Sequence, residues 1–241
     1  MPSSGNNYLI QQLEEIDGAF TGLWSKSIKL QYGRLFINKE FRNDVFFNKL
    51  TGVTHLNDEI LNGIISLFKA NHTTPYVYSL NRPDLEEKLL AKNFRLYDVQ
   101  HVLTKNYSVE SNPSVRRVSN NESLLWSNIF CEAYDCLDWI DSVNRIVKGS
   151  IESIGYYINE TESSCMALYE GDSVLGLYCL GTIPSMRGRG FAASLIGFAL
   201  DEVKRRQLEL LVLETYGLEG LLGFYLKLGF RKEYEKKIYT I

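Results

Sequence analysis

The segment 182–192 combines residue types that bind phosphate groups. It contains Gly188 and Gly190 beside two arginines, Arg187 and Arg189, and it separates an apolar strand pattern from an amphipathic helix pattern. Glycine lets the backbone amides at a helix start converge on one point. Unpaired amides and the helix dipole both favour a negatively charged group at such a point, and the arginines add positive charge. The segment therefore predicts a binding site for a phosphate or diphosphate group.

The flanking patterns predict the elements that position this site. Residues 173–183 read as a strand, and Pro184 ends it because proline disfavours a helical residue before it and lacks an amide hydrogen. The helix predicted at 190–206 carries apolar residues at four-residue steps, which places them on one face toward a core. These residues are Phe191, Leu195, Ala199 and Val203.

Two motifs in this part of the chain resemble the GNAT family of acetyltransferases. The run RGRGFA, residues 187–192, resembles the family's loop of Arg or Gln, two residues, Gly, one residue, and Gly or Ala. At the expected distance, FYLKLGF, residues 224–230, resembles the family's closing pattern of a tyrosine, Leu-Gly-Phe and a final strand. The resemblance covers residues 114–241, where it implies the mixed α/β fold of the acyl-coenzyme A N-acyltransferases.

The resemblance also implies a function and a set of site residues. In the family, the loop amides hold the diphosphate of coenzyme A and the preceding strand pairs with its pantetheine arm. Tyr225 stands where many members carry the tyrosine that protonates the departing thiolate. The expected reaction moves an acetyl or other acyl group from acetyl-coenzyme A to an amine by direct attack, without a metal. The residues assigned to the cofactor are Leu180, Gly181, Thr182, Arg187, Gly188, Arg189, Gly190, Phe191 and Ala192.

One departure from the family pattern concerns the segment before Tyr225. Many relatives carry Asn and Ala where this sequence has Leu218 and Leu221, which puts in doubt the cofactor contacts of that helix. Glu214 and Glu219 are candidate general bases toward an acceptor ammonium group, although solvated surface charges are the favoured interpretation for both.

Two other functions fit parts of the same pattern. Gly188, Gly190 and Ala193 also match a dinucleotide-binding motif, with Glu214 as its ribose-binding acid. However, residues 184–187 separate the strand from the first glycine, and only 27 residues (241 minus 214) follow Glu214, too few to complete a doubly wound sheet. An NAD(P)-binding oxidoreductase is therefore the less favoured alternative. A coenzyme A-binding or sensing module without catalysis is the other.

The rest of the chain predicts a second α/β domain. The polar segment 106–113 predicts a linker between an N-terminal domain, residues 1–110, and the GNAT-like domain, residues 114–241. Residues 90–95 (LAKNFR) resemble residues 226–231 (LKLGFR), each at a helix-to-strand junction. A duplicated first domain that has lost the glycine loop explains this similarity, and chance explains it equally well.

Apolar spacing in the first half predicts individual elements. A helix beginning at Asp58 places Ile60, Ile64, Ile65 and Phe68 on one face, and a helix at 84–92 turns Leu85, Leu89 and Leu90 inward. Residues 45–47 read as a short strand. No catalytic constellation is evident in this half.

Composition excludes several classes of protein. With 45% hydrophobic and 23% charged residues, the chain is typical of globular domains rather than disordered ones. A net charge of −3 predicts no nucleic-acid partner. The sequence contains no export signal and no run of about 18 apolar residues, so we expect a cytoplasmic protein that does not span a membrane. Its three histidines are isolated and its four cysteines form no CxxC pair, so no metal site is expected. The expected partner is a small-molecule or peptide amine; the oligomeric state is left open.

Overall fold

In a computed structural model, residues 4–107 and 114–241 of the chain are described, and they form a mixed α/β fold as predicted. The helices are α1 (Ser4–Trp24), α2 (Asp58–Ala70), α3 (Pro83–Ala91), α4 (Ser123–Ala133), α5 (Ile140–Ser150), α6 (Phe191–Arg205) and α7 (Leu222–Lys227). The strands are β1 (Lys26–Leu30), β2 (Gly33–Ile37), β3 (Lys49–Thr51), β4 (Tyr76–Ser79), β5 (Arg95–Asn106), β6 (Val115–Arg117), β7 (Gly155–Asn159), β8 (Ser164–Glu170), β9 (Val174–Thr182), β10 (Leu210–Tyr216) and β11 (Arg231–Thr240).

Two compact units divide the described residues. Unit 1 lies within Met1–Gly18, Thr104–Leu213 and Leu228–Arg231, and unit 2 lies within Ala19–Leu103, Glu214–Lys227 and Lys232–Ile241. Each unit therefore draws on both halves of the sequence. Residues 108–113 of the predicted linker lie outside the described residues, and the boundary between residues 110 and 114 stays a prediction.

Unit 1 carries the strands that surround the glycine loop. Its strand order is β10-β9-β8-β7-β6. β9 and β10 are parallel over Val174–Leu177 and Leu210–Leu213, whereas β6, β7, β8 and β9 pair with one another antiparallel. The interior stretches of β8 and β9 are buried at almost every position, as expected for strands covered on both faces. Both α4 and α6 contact β8 and β9. Trp126 of α4 and Leu195 of α6 are fully enclosed in this core.

Unit 2 contains both parallel and antiparallel strand pairs and has its own core. Its strand order is β1-β2-β3-β4-β11-β5. β3 and β4 are parallel, and the pairs β1–β2, β2–β3 and β4–β11 are antiparallel. The predicted helix at Asp58 is confirmed as α2, which buries Ile64 and Phe68 in a cluster that includes Leu35, Leu50 and Val77.

Two predictions for this unit are wrong. Residues 45–47 form turns rather than a strand, because the Asp44 carboxylate accepts hydrogen bonds from the backbone N–H groups of Phe46 and Phe47 at 2.8 and 3.1 Å. Leu90 is 55% exposed, whereas Leu85 and Leu89 are buried as predicted. The four-residue step from Leu85 to Leu89 follows one helix face, and Leu90 lies beside that face.

No helix among residues 4–107 and 114–241 combines the length and the apolar character that crossing a membrane requires.

Candidate functional site

The glycine loop follows β9 and adopts a conformation that requires its glycines. After β9, a short 3₁₀ turn covers Pro184–Met186. Gly188 and Gly190 then adopt φ angles of +76° and +84°. A Cβ built on either glycine meets no atom within 4 Å. Backbone conformation rather than lack of space therefore selects glycine at both positions.

The start of α6 presents backbone N–H groups without a side-chain cap. Gly190 is the N-cap residue and offers no side-chain oxygen. The first helical hydrogen bond runs from Ser194 N–H to the Gly190 carbonyl at 3.0 Å. The N–H groups of Phe191, Ala192 and Ala193 therefore have no carbonyl partner within the helix. The loop residues 187–190 are exposed, so these groups are open to an anion.

The start of α2, in unit 2, is built in the opposite way. The Asn57 side chain accepts a hydrogen bond from Ile60 N–H at 2.8 Å, and Asp58 and Glu59 lie in the first turn. The helix caps its own amides and carries its own negative charge there, so it offers no comparable site for an anion.

Arg187 ties the loop to two other elements. Its Nε donates to the Thr182 carbonyl at 3.1 Å, and its Nη2 donates to the Ala133 carbonyl at 2.7 Å, at the end of α4. The guanidinium group thus fixes the loop while keeping its positive charge beside it. Arg189 is exposed. The bond to Ala133 could not be predicted, because nothing in the sequence relates two residues that are 54 positions apart.

The strand β9 turns two of the predicted cofactor residues away from β8. Ile183 N–H donates to the Ser163 carbonyl at 2.9 Å. Along antiparallel strands, every second residue directs its backbone groups toward the partner strand. Gly181 lies two residues before Ile183 and pairs with Cys165, so its backbone groups also point toward β8. The backbone groups of Leu180 and Thr182 then face the opposite edge, where a ligand arm could pair with them.

A β-bulge lies in the same strand. Cys165 pairs with Gly181, and Ala167 pairs with Tyr178. Between these two pairs the chain advances three residues on β9 but only two on β8. Cys179, within the bulge, has a φ of +53°. Bulges re-aim backbone groups and are common beside active sites. The bulge could not be predicted from the strand pattern, because a bulge inserts only one residue into an otherwise regular strand.

Gly181 is required by the close approach of α4. A Cβ at this position would lie 2.8 Å from the Ala133 Cβ and 3.0 Å from Cε2 of Tyr134. The Tyr134 hydroxyl donates to the Leu180 carbonyl at 3.1 Å. The end of α4 thus packs directly against the segment of β9 that is predicted to contact the cofactor.

Tyr225, the predicted catalytic residue, lies in α7 and belongs to unit 2, whereas the glycine loop belongs to unit 1. Its side chain is only 6% exposed. Burial raises the pKa of Tyr225 well above that of an ordinary tyrosine, and the Glu219 carboxylate adds to the rise. The phenol therefore stays protonated at neutral pH, as a proton donor must. Gly229 ends the segment with a φ of +84°, the left-handed conformation in which a glycine commonly ends a helix.

The two glutamates near α7 differ in environment. The Glu214 side chain is 8% exposed, forms an ion pair with Lys236 at 3.0 Å and accepts from Gln100 Nε2 at 2.8 Å. The interpretation of Glu214 as a solvated charge is therefore wrong. Glu219 is exposed, and its carboxylate accepts from Thr215 Oγ1 at 2.8 Å and from Tyr216 N–H at 3.1 Å.

Within the described part of the chain, no group of three or more His, Cys, Asp and Glu side chains could hold a metal ion.

Comparisons with known proteins agree with this architecture. The family model described as the acetyltransferase (GNAT) family matches residues 136–230. A GCN5-related N-acetyltransferase from Kribbella flavida has a TM-score of 0.66 at 14% identity, with 95% of each chain covered. Another from Sphaerobacter thermophilus has a TM-score of 0.63 at 13% identity and covers 97% of this chain and 90% of its own. A tandem GNAT protein from the clavulanic acid biosynthesis pathway has a TM-score of 0.59 at 9% identity, with 95% of each chain covered. No curated protein sequence matches the chain.

At these identities the solved structures show the fold alone, and they show it over nearly the whole chain. The similarity to a tandem GNAT protein agrees with an N-terminal part that is a GNAT-like copy without the glycine loop. The family match is narrower, and it contains both the glycine loop and the Tyr225 segment. Residues 136–230 of this chain therefore belong to the GNAT acetyltransferase family.

Proposed function

We propose that this protein transfers an acyl group from acetyl-coenzyme A to the amine of a small-molecule or peptide acceptor. The observation that carries the proposal is the uncapped start of α6. There, two glycines at positive φ open the amides of Phe191, Ala192 and Ala193 to an anion within the segment that matches the family.

The residues at this point fit a diphosphate and its arm. Gly188 and Gly190 place no side chain over the amides, and Arg187 and Arg189 contribute positive charge. Phe191 and Ala192 supply the first helical N–H groups. In the proposal, Leu180, Gly181 and Thr182 line the pantetheine arm, with the outward backbone N–H groups of Leu180 and Thr182 as its hydrogen-bond donors.

The proposed chemistry needs three contributions from the chain. Acetyl-coenzyme A supplies the acyl group as a thioester when it is bound. The chain orients a neutral acceptor amine for direct attack and stabilises the developing oxygen charge with backbone N–H groups near the end of β9. Tyr225, whose phenol is protonated at neutral pH, donates a proton to the departing thiolate, and a water molecule or a carboxylate accepts the proton that the attacking amine loses.

The alternatives predict different ligands. The oxidoreductase requires a doubly wound parallel sheet, but among the described strand pairs of β6 to β10 only β9 and β10 are parallel. This pairing speaks against an NAD(P) site. A non-catalytic coenzyme A sensor would bind coenzyme A through the same glycine loop but would not transfer the acyl group to an amine.

One pair of experiments tests the proposal. A ligand that binds only the native state raises its thermal stability, so coenzyme A is expected to raise the Tm, whereas NAD and NADP are not. Mass spectrometry of a mixed amine library incubated with acetyl-coenzyme A is expected to detect acetylated product. Stabilisation by NAD(P) alone would contradict the proposal. Stabilisation by coenzyme A without any product would favour the sensor.

A further inference from the structure

The turn that leads into α7 is exposed yet firmly held. A 3₁₀ turn over Gly217–Glu219 joins β10 to α7, and Gly220 follows with a φ of +68°. Leu218, in the middle of the turn, is 73% exposed. Its apolar side chain therefore contributes little packing to fix the turn, and its backbone must be held in another way.

Asp98 of β5 holds this backbone. Leu218 N–H donates to the two carboxylate oxygens of Asp98 at 3.1 and 3.3 Å. The same carboxylate accepts from Val99 N–H at 2.7 Å, and Asp98 is only 9% exposed. A Cβ on Gly217 would lie 2.9 Å from Oδ1 of Asp98, so glycine is needed for the carboxylate to reach the turn. An ionised acceptor on a backbone N–H makes a stronger bond than a neutral one does.

The residues around this contact hold both ends of the same turn. Gln100, two residues after Asp98 on β5, donates to Glu214, which Lys236 also binds. At the other end, Glu219 accepts from Tyr216 N–H. The segment 214–219 is therefore fixed at its beginning, middle and end.

We infer that Asp98 is a positioning residue for Tyr225, a role that rests on the proposed function of that tyrosine. Tyr225 N–H donates to the Leu221 carbonyl at 3.2 Å, so the phenol is carried by a short helix that begins directly after this turn. Asp98 locks the turn through Leu218 and thereby sets the direction in which the phenol donates its proton. The sequence position of Asp98 means that the half of the chain without a glycine loop supplies part of the catalytic apparatus.

A double-mutant cycle with Asp98→Ala and Tyr225→Phe tests this inference in the full-length protein. Loss of the hydrogen bonds from Leu218 N–H to the Asp98 carboxylate releases the turn that precedes α7, so we expect Asp98→Ala to lower kcat about tenfold or more. The KM for acetyl-coenzyme A is expected to stay within about twofold, because the glycine loop is untouched. In the Tyr225→Phe background, Asp98→Ala is expected to cause no further loss, because the two residues act through one proton transfer. Multiplying losses would overturn the inference.

A second measurement reads the position of Tyr225 without relying on turnover. In protein with labelled tyrosines, Asp98→Ala is expected to shift the ring resonances of Tyr225, whereas the control Asp84→Asn, which changes an exposed carboxylate of α3, is not. Unchanged Tyr225 resonances would overturn the inference. If Asp98→Ala does not fold, Asp98→Asn keeps a neutral acceptor for Leu218 N–H and is expected to give the same pattern with smaller changes.

The two measurements separate this inference from the proposed function. If the protein acetylates no amine but Asp98→Ala shifts the Tyr225 resonances, the positioning contact is supported and the proposed function is contradicted. A protein that acetylates amines but shows neither the shift nor the non-additive cycle would retain the function and lose the inference.

Discussion

Replacing Gly190 with alanine separates the backbone requirement of the loop from any effect of size. Gly190 has a φ of +84°, and a Cβ at this position meets no atom within 4 Å. The substitution therefore adds no clash, and its cost comes from holding an L-residue in the left-handed region, about 1–2 kcal/mol. For a chain of this length, such a cost lowers the Tm by about 2–8 °C.

The expected effect on binding is larger than the effect on folding. The chain can relieve the strain by rotating the peptide units around residue 190. This rotation turns at least one backbone N–H group at the start of α6 away from the proposed anion-binding site. An amide contact to a charged group contributes about 1.5–3 kcal/mol, so we expect coenzyme A affinity to fall at least tenfold. Isothermal titration with coenzyme A on folded protein measures this loss directly.

Gly149 provides a matched control in the same unit. It lies in α5, and a Cβ there also meets no atom within 4 Å, but its φ is not in the left-handed region. Gly149→Ala is therefore expected to maintain or raise stability, by up to about 1 kcal/mol, and to bind coenzyme A like the parent protein. Wild-type affinity in Gly190→Ala would refute the assignment of the loop amides to the diphosphate. Equal losses in both variants would point to a general effect of the added methyl group.

Three further predictions test packing and electrostatics. Gly181→Ala places a methyl group 2.8 Å from the Ala133 Cβ, and we expect it to lower the free energy of unfolding by about 1–3 kcal/mol. Urea titration measures this loss, and an unchanged midpoint of unfolding would contradict the close packing of α4 on β9. Glu214→Ala removes the carboxylate that forms an ion pair with the buried Lys236, and we expect it to lower the free energy of unfolding by about 3 kcal/mol. Adding Lys236→Met is expected to recover part of this loss, and no recovery in the double variant would argue against the ion pair as the cause. Burial raises the pKa of Asp44 to about 6, above its unfolded value of 3.8. The folded state then holds a proton that the unfolded state has lost, so stability present below about pH 4 is lost as the pH rises through about 6. At pH 7, Asp44→Asn is accordingly expected to be more stable than wild type, by up to about 3 kcal/mol in the free energy of unfolding, and therefore to unfold at a higher temperature. In thermal scans this difference is expected to vanish near pH 4. A difference that does not depend on pH would refute the prediction.

Features that depend on a few neighbouring residues could be predicted from the sequence. The strand, the proline stop and the amphipathic helix around the glycine loop follow from local spacing, and the structure contains all three. The left-handed conformations of Gly190 and Gly229 follow from residue type for the same reason. The mixed α/β fold and the family were likewise indicated by two motifs in order, which the family match confirms.

Features that depend on distant residues could not be predicted. The bond from Arg187 to Ala133 spans 54 positions, and the bond from Leu218 to Asp98 spans 120. Neither has a local pattern that would reveal it, because each is created when separate elements pack together. The same reason explains the wrong interpretation of Glu214, whose charge is compensated by Lys236 across two strands rather than by water.

The starts of α2 and α6 predict that the protein, if it has the proposed function, binds one coenzyme A rather than two. A diphosphate approaching α2 would compete with the carboxamide of Asn57 for the amides and would meet the charges of Asp58 and Glu59. At α6, Gly190 leaves the amides open and no acidic residue lies in the first turn. Because the repulsion at α2 is built into the sequence, raising the cofactor concentration should not fill a second site. Titration is therefore expected to give a stoichiometry near one per chain, and a second coenzyme A bound with similar affinity would mean that a capped, acidic helix start is no barrier to the diphosphate.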